Sequence, residues 1–238
     1  FSESDISDQN TQNLLYSIIS EIGVKGKGAT RDPKSGGMRT YFAQLQCLGL
    51  VFKTSNKSFA TTIAGDNILQ GRNPQHVLQI ALLRHQYPSS YGLGQNVWID
   101  PRIKIKPFLF ILMLLNDPRL EGWITNRDLQ IPVIYGHSYD CYELCIKKIL
   151  QLRSGISIFN CLDNPADDLY TPKGSRTLDL AVANVLDIAN TAKNYLQAAS
   201  LIVPGIDSFQ GGETYIFNEA FQSLFEEMLS EKDKFIPN

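Results

Sequence analysis

A chain of 238 residues with 43% hydrophobic and 19% charged residues carries enough apolar material for one large domain or two of roughly 100 residues, which excludes global disorder. Its net charge of −2 gives no general attraction to nucleic acid, so any such contact must rest on local basic patches, with acids gathered elsewhere, as at Glu219, Glu226, Glu227 and Glu231. Cys47, Cys141, Cys145 and Cys161 show no spacing of a secreted disulfide scaffold, and the longest apolar run, Pro107 to Leu115, falls short of the ~20 residues that span a bilayer. With no signal peptide or lipidation motif, a cytoplasmic protein without a membrane partner is expected.

Residues 1–10 read as a polar arm, and Thr11 to Ile22 as a helix burying Leu14, Leu15, Ile18, Ile19 and Ile22 before Gly23. A basic loop follows, with Lys25, Lys27, Arg31 and Lys34 against one acid, Asp32. Then Met38, Tyr41, Phe42, Leu45 and Leu48 recur at helical spacing and predict one buried face, while Arg39, Thr40, Ala43, Gln44 and Gln46 fall on the other sides. Gly49 stops this helix, Leu50 to Phe52 starts a strand, Ser55-Asn56 turns it, and Phe59 to Thr62 returns. A short helix ending near Gly71 closes the group. Basic loop, helix, hairpin and helix in that order predict a winged-helix module. Arg39 and Gln44 can make bidentate contacts to guanine and adenine edges, Thr40 can bond either, and the loop cations with Ser35 can hold phosphates. A solvated helix face would carry the same residues; the charged loop and the hairpin favour DNA.

Asn73-Pro74 opens the next helix, with Val77, Leu78, Ala81, Leu82 and His85 on one face. Residues 90–104, rich in Gly, Asn and Pro, are expected to be a loop between halves. Beyond it come an apolar helix over Phe108 to Leu115, a strand at Trp123 to Thr125, and a helix from a Thr125/Asp128 cap toward Val133. Ser138 to Leu152 predicts a helix with Tyr142, Cys145, Ile146, Ile149 and Leu150 inward. Residues 153–176 read as a loop ending Thr171-Pro172-Lys173-Gly174-Ser175-Arg176. The longest helical pattern runs from Thr177 to Leu201, with Asn184, Asp187, Asn190, Lys193, Asn194 and Gln197 away from its apolar stripe. A hairpin (Ile202-Val203 and Thr214 to Phe217, closed by Gly211-Gly212) and a helix with Phe221, Leu224, Phe225 and Met228 inward finish the chain.

Pro33-Lys34-Ser35-Gly36 and Pro172-Lys173-Gly174-Ser175 each precede a helix, a hairpin and a closing helix, which makes a weak internal repeat. The expected fold is therefore mainly α with short β-hairpin wings (α+β), as two tandem winged-helix subdomains over residues 1–100 and 101–238. Asn190, Lys193 and Asn194 become the second set of base and phosphate contacts, with Lys173, Ser175 and Arg176 as its lead-in.

Thr62-Ile63-Ala64-Gly65-Asp66, Gln70-Gly71-Arg72-Asn73-Pro74, Leu78, Gln86-Tyr87-Pro88-Ser89, Ile105-Lys106-Pro107-Phe108 and Leu112 to Leu115 resemble the N-terminal recognition region of AlwI-type restriction and nicking endonucleases. Asn190 to Phe217 is similar to that family's second recognition subdomain. The resemblance covers most of residues 35–230 and implies type IIS behaviour: a short asymmetric duplex site bound by a monomer and cut a fixed distance away. It also implies a separate nuclease domain with an Asp and a Glu-x-Lys holding Mg²⁺. No buried strand here carries that set, and Asp32-Pro33-Lys34 sits in a glycine-rich loop, so the nuclease is expected in another domain or a partner subunit. The ends at Phe1 and Asn238 look like cuts in something longer. No catalytic residue, metal or cofactor is expected within the chain.

Other chemistry ranks lower. His137, Cys141 and Cys145 share a helix face but lack the close Cys pair of a zinc knuckle, and buried thiols are the simpler reading. Gly23-Val24-Lys25-Gly26-Lys27-Gly28 lacks the ending of a phosphate loop. A winged-helix transcriptional regulator and a protein-docking module stay open as alternatives.

Overall fold

A computed structural model describes residues 13, 17, 38–56, 58–89, 99–157 and 178–236, with the side chains of 38–41 and 178–184 outside that set. The described residues are mixed α+β, mainly helical, with two small antiparallel sheets among them. It divides into two compact units, one holding the described residues up to Val77 and the other those from Leu78 onward.

In the first unit α1 (Met38–Cys47) ends at Gly49, which takes the left-handed conformation (φ +67°). Leu48 and Leu50 are buried on either side of it, and β1 (Val51–Lys53) then pairs with β2 (Phe59–Thr61). Thr54 closes the hairpin loop by donating to the Ser58 carbonyl at 2.9 Å. Thr62 starts α2 (Ile63–Leu69): its hydroxyl accepts from Gly65 N at 3.1 Å and donates to the Gly49 carbonyl at 2.7 Å. Gly65 is required there, since a Cβ would sit 2.2 Å from the Leu50 carbonyl oxygen. On the expected inward face Phe42 packs on Phe59 (centroids 5.1 Å apart) and Leu48 is buried, but Leu45 is exposed. Helix α3 (Pro74–Arg84) follows, with proline at its first position, and carries the division between units.

The second unit is built around α4 (Pro107–Leu115). Phe108 to Leu112, Leu114 and Leu115 are all buried, so the helix is apolar on every side and serves as the core. Around it lie α5 (Gln130–Tyr135), α6 (Tyr142–Arg153), α7 (Leu178–Ala198) and α8 (Gln222–Ser230). Strands β3 (Trp123–Thr125), β4 (Ile202–Phe209) and β5 (Gly212–Phe217) form one sheet in the order β3-β5-β4, with Ile124 opposite Tyr215 and Ile202 opposite Phe217. Gln210 (φ +49°) and Gly211 (φ +78°) turn the chain between β4 and β5, as a tight hairpin needs.

Two expected helices are shortened at their starts. The cap at Thr125 forms in both directions (Asp128 N to Thr125 Oγ1 at 3.1 Å, Thr125 N to Asp128 Oδ2 at 2.9 Å), yet α5 begins only at Gln130. Asp128 is held by Arg153, and the segment turns to suit that pair first. Ser138 leads into a 3-10 turn (Tyr139–Cys141) before α6, and Leu150, expected inward, is 39% exposed. Gln79 fastens α3 to the end of α7 through the Ala199 carbonyl at 2.8 Å. The C-terminal stretch lies on the same unit: Ile236 N donates to Gln86 Oε1 at 2.9 Å, Lys106 Nζ to the Glu231 carbonyl at 2.7 Å, and Phe235 sits under Lys104 and Lys106.

Candidate nucleic-acid interface

The longest of the described helices, α7, presents a buried strip, an exposed strip opposite it and two flanks. Val185, Ala189 and Leu196 are buried and fix its orientation. The opposite strip exposes Asp187, Asn190, Thr191 and Asn194, four residues that helical spacing puts on one face. Asn190 and Asn194 are one turn apart and free to meet an extended ligand; each amide has a donor and an acceptor side by side. Thr191 bonds back to the Asp187 carbonyl at 2.8 Å. This strip carries one acid and no cation of its own among the described residues.

Lys193 lies on a flank, half-buried, with its ammonium 5.4 Å from the Tyr215 ring centroid. It borders a basin of about 280 Å³ walled by Arg127, Arg153, Gln210, Glu213 and Tyr215. Arg127, at the exposed turn after β3, donates to Gln210 Oε1 at 2.9 Å, and Gln210 Nε2 donates to the Arg153 carbonyl at 3.1 Å. The hairpin tip is thus tied to two other elements. Arg153 itself is consumed by the fold: it stacks 3.6 Å from the Trp123 ring centroid, donates to the Trp123 and Leu120 carbonyls at 2.6 and 3.0 Å, and bonds Asp128 at 3.1 Å. Tyr215 donates to Glu213 Oε2 at 2.6 Å, and burial pushes its phenol up to about 12. Arg127 and Lys193 are therefore the cations of the basin that solvent or a ligand can reach, offset by Glu213.

The other flank of α7 places Ile188 and Ala192 against an apolar cavity of about 300 Å³, lined further by Phe108, Phe110, Ile111 and Val133. His137 stands at this cavity with Nδ1 3.4 Å from Cys141 Sγ. Cys145 is fully buried, and desolvation raises its thiol pKa well above the usual range. Among the described residues no group of three or more His, Cys, Asp or Glu side chains is placed to hold a metal ion.

Of the residues singled out in the sequence, Asn190 and Asn194 share the exposed strip of α7 and Lys193 borders it. Gln44 is half-buried on α1, and Arg39 and Thr40 belong to that helix by backbone, with side chains outside the described set. Lys25, Lys27, Arg31, Lys34, Ser35, Lys173, Ser175 and Arg176 lie outside the described residues. Arg127 and Gln210 were not singled out by sequence reasoning. The Gln210-Gly211 turn marks a hairpin tip, but nothing local pairs it with a residue 83 positions earlier.

Among the described residues no helix is long and apolar enough to cross a membrane. No protein-family model and no curated protein matches the chain.

Proposed function

We propose that this chain recognises a short, asymmetric sequence in double-stranded DNA as part of a type IIS restriction or nicking endonuclease, with Mg²⁺-dependent cleavage supplied by another domain or subunit. The observation that supports it most is α7: a 21-residue helix with an exposed strip of Asp187, Asn190 and Asn194 runs directly into an antiparallel hairpin. Asparagine suits adenine, and an aspartate can accept from cytosine N4, in a major groove wide enough for a helix. Lys193 borders that strip and Arg127 shares its basin, and both serve as phosphate contacts. The order helix, hairpin, helix in each unit agrees with two winged-helix lobes, and Arg39, Thr40 and Gln44 are the corresponding readers of the first. The basic lead-ins supply the rest of the phosphate grip, which the net charge does not. The protein works in a reducing cytoplasm.

Selection from a randomised duplex pool, followed by salt titration, tests this. An asymmetric consensus is expected, with affinity falling linearly in log–log against salt. Recovery of a random pool, or binding indifferent to salt, overturns the proposal and leaves a protein-docking module.

One observation favours a transcriptional regulator instead. The apolar cavity touches the same helix through Ile188 and Ala192, so an apolar effector could bias the reading strip from behind. That reading requires a palindromic consensus and a dimer in solution.

A further inference from the structure

Three residues of β4 face one residue of β5. Pro204 pairs with Tyr215 and Ser208 with Glu213, so Gly205, Ile206 and Asp207 bulge opposite Thr214. Thr214 is buried and closes the bulge from beneath: its hydroxyl donates to the Asp207 carbonyl, and a Cβ on Gly205 would meet that Oγ1 at 2.3 Å. The apex is thrown outward, and it is Ile206, with a relative exposure of 101%. A bulge on an edge strand blunts unwanted pairing, and β4 is such a strand. A lysine or a proline at the apex would do that better, without holding a branched apolar side chain in water. The ribbon beneath is braced at its tip by the Gln210 bonds to Arg127 and Arg153. Proteins that bend DNA insert apolar side chains of this kind, isoleucine among them, between base steps.

We propose that Ile206 is a wedge that enters between two neighbouring base pairs of the bound duplex. The inference rests on the DNA reading above and names a contact that reading lacks. Asp207 and Glu213 share the hairpin, so the wedge works through apolar contact and unstacking rather than charge. Burial of the side chain and unstacking of the step largely offset each other, so affinity changes by less than about ten-fold while the shape of the DNA changes. Salt leaves this contribution untouched.

The test uses the whole chain and duplexes it selects from a random pool, each with 2-aminopurine replacing one adenine in turn. Binding should raise the fluorescence at one step and bring dyes at the duplex ends closer. Ile206→Ser should abolish both signals, with less than about a ten-fold loss of affinity and the same salt slope. Ile206→Phe should keep both. A wild-type complex with no fluorescence rise, or an Ile206→Ser protein that matches wild type in both signals, overturns the wedge and leaves the DNA reading standing. A wild-type chain that binds no duplex overturns both. A change in self-association on Ile206→Ser without a change in the DNA signals assigns the apex to protein contact, and also overturns the wedge. Since Ile206 touches no core, the variants should melt as wild type does.

Discussion

Asp117 shows how much one buried carboxylate can carry. It accepts from Arg119 N at 2.8 Å, from the Arg119 guanidinium at 2.9 and 2.7 Å, and from the Tyr142 hydroxyl at 2.8 Å. The Arg119 side chain, above all, holds its carboxyl well below the usual carboxylate range, against the burial that alone would raise it. A pKa lower in the folded state than in the unfolded one means the unfolded chain binds the proton first as pH drops. The stabilisation is therefore complete above the unfolded value of about 3.9 and disappears as pH falls through the lower folded value. Asp117→Asn should cost about 1 to 3 kcal/mol at neutral pH. Urea unfolding of the variant should also lose part of its acid dependence below about pH 4. A variant with wild-type stability at pH 7 would remove Asp117 from the network's centre.

At the scale of elements, the local periodicities were legible and the long-range attachments were not. The α4 run from Pro107 to Leu115 is apolar throughout, and proline at its first position marks where it starts, so its role as a buried helix was readable. The hairpin pairing of β4 with β5 was equally plain from Gly211-Gly212 and the β-branched residues around it. Trp123–Thr125 read as a strand, yet its partner β5 lies about ninety residues on, and no pattern in a single sequence reports that pairing. Asp128 illustrates the same limit, because its capping role is local while its bond to Arg153 is not. That bond explains why Arg153 at the end of α6 governs β3: with 9% of its side chain exposed, it reaches two carbonyls, one carboxylate and the Trp123 ring. A lysine has one point charge where the guanidinium has a planar fork, and it cannot stack in the same way. Arg153→Met, which leaves Asp128 buried without its cation, should cost about 3 to 5 kcal/mol in chemical denaturation. Arg153→Lys should fall between it and wild type. Equal stability of Arg153→Lys and wild type would show that charge alone suffices there.

For the whole molecule, the proposed DNA reading makes the number of independent readers decide how substitutions combine. Helix α1 belongs to one compact unit and the described strip of α7 to the other, so a base contact from each should be felt at a different base pair. Arg39→Ala and Asn194→Ala should each relax preference at one position by about 1 to 3 kcal/mol, and at different positions. Residues with no shared partner usually add, so the double variant should lose both preferences with little coupling. Lys193→Ala touches no base in this scheme. It should weaken every duplex alike and reduce the slope of log K against log salt by about one. Competition binding on a set of singly mutated selected duplexes measures all three variants together. If Arg39→Ala and Asn194→Ala weaken selected and scrambled duplexes equally, neither residue reads a base. If both relax the same base pair with strong coupling, one composite contact replaces the two independent lobes. A net charge of −2 sharpens the experiment: with no net positive charge to sustain binding, losing the phosphate contact proposed for Lys193 should be plainly visible.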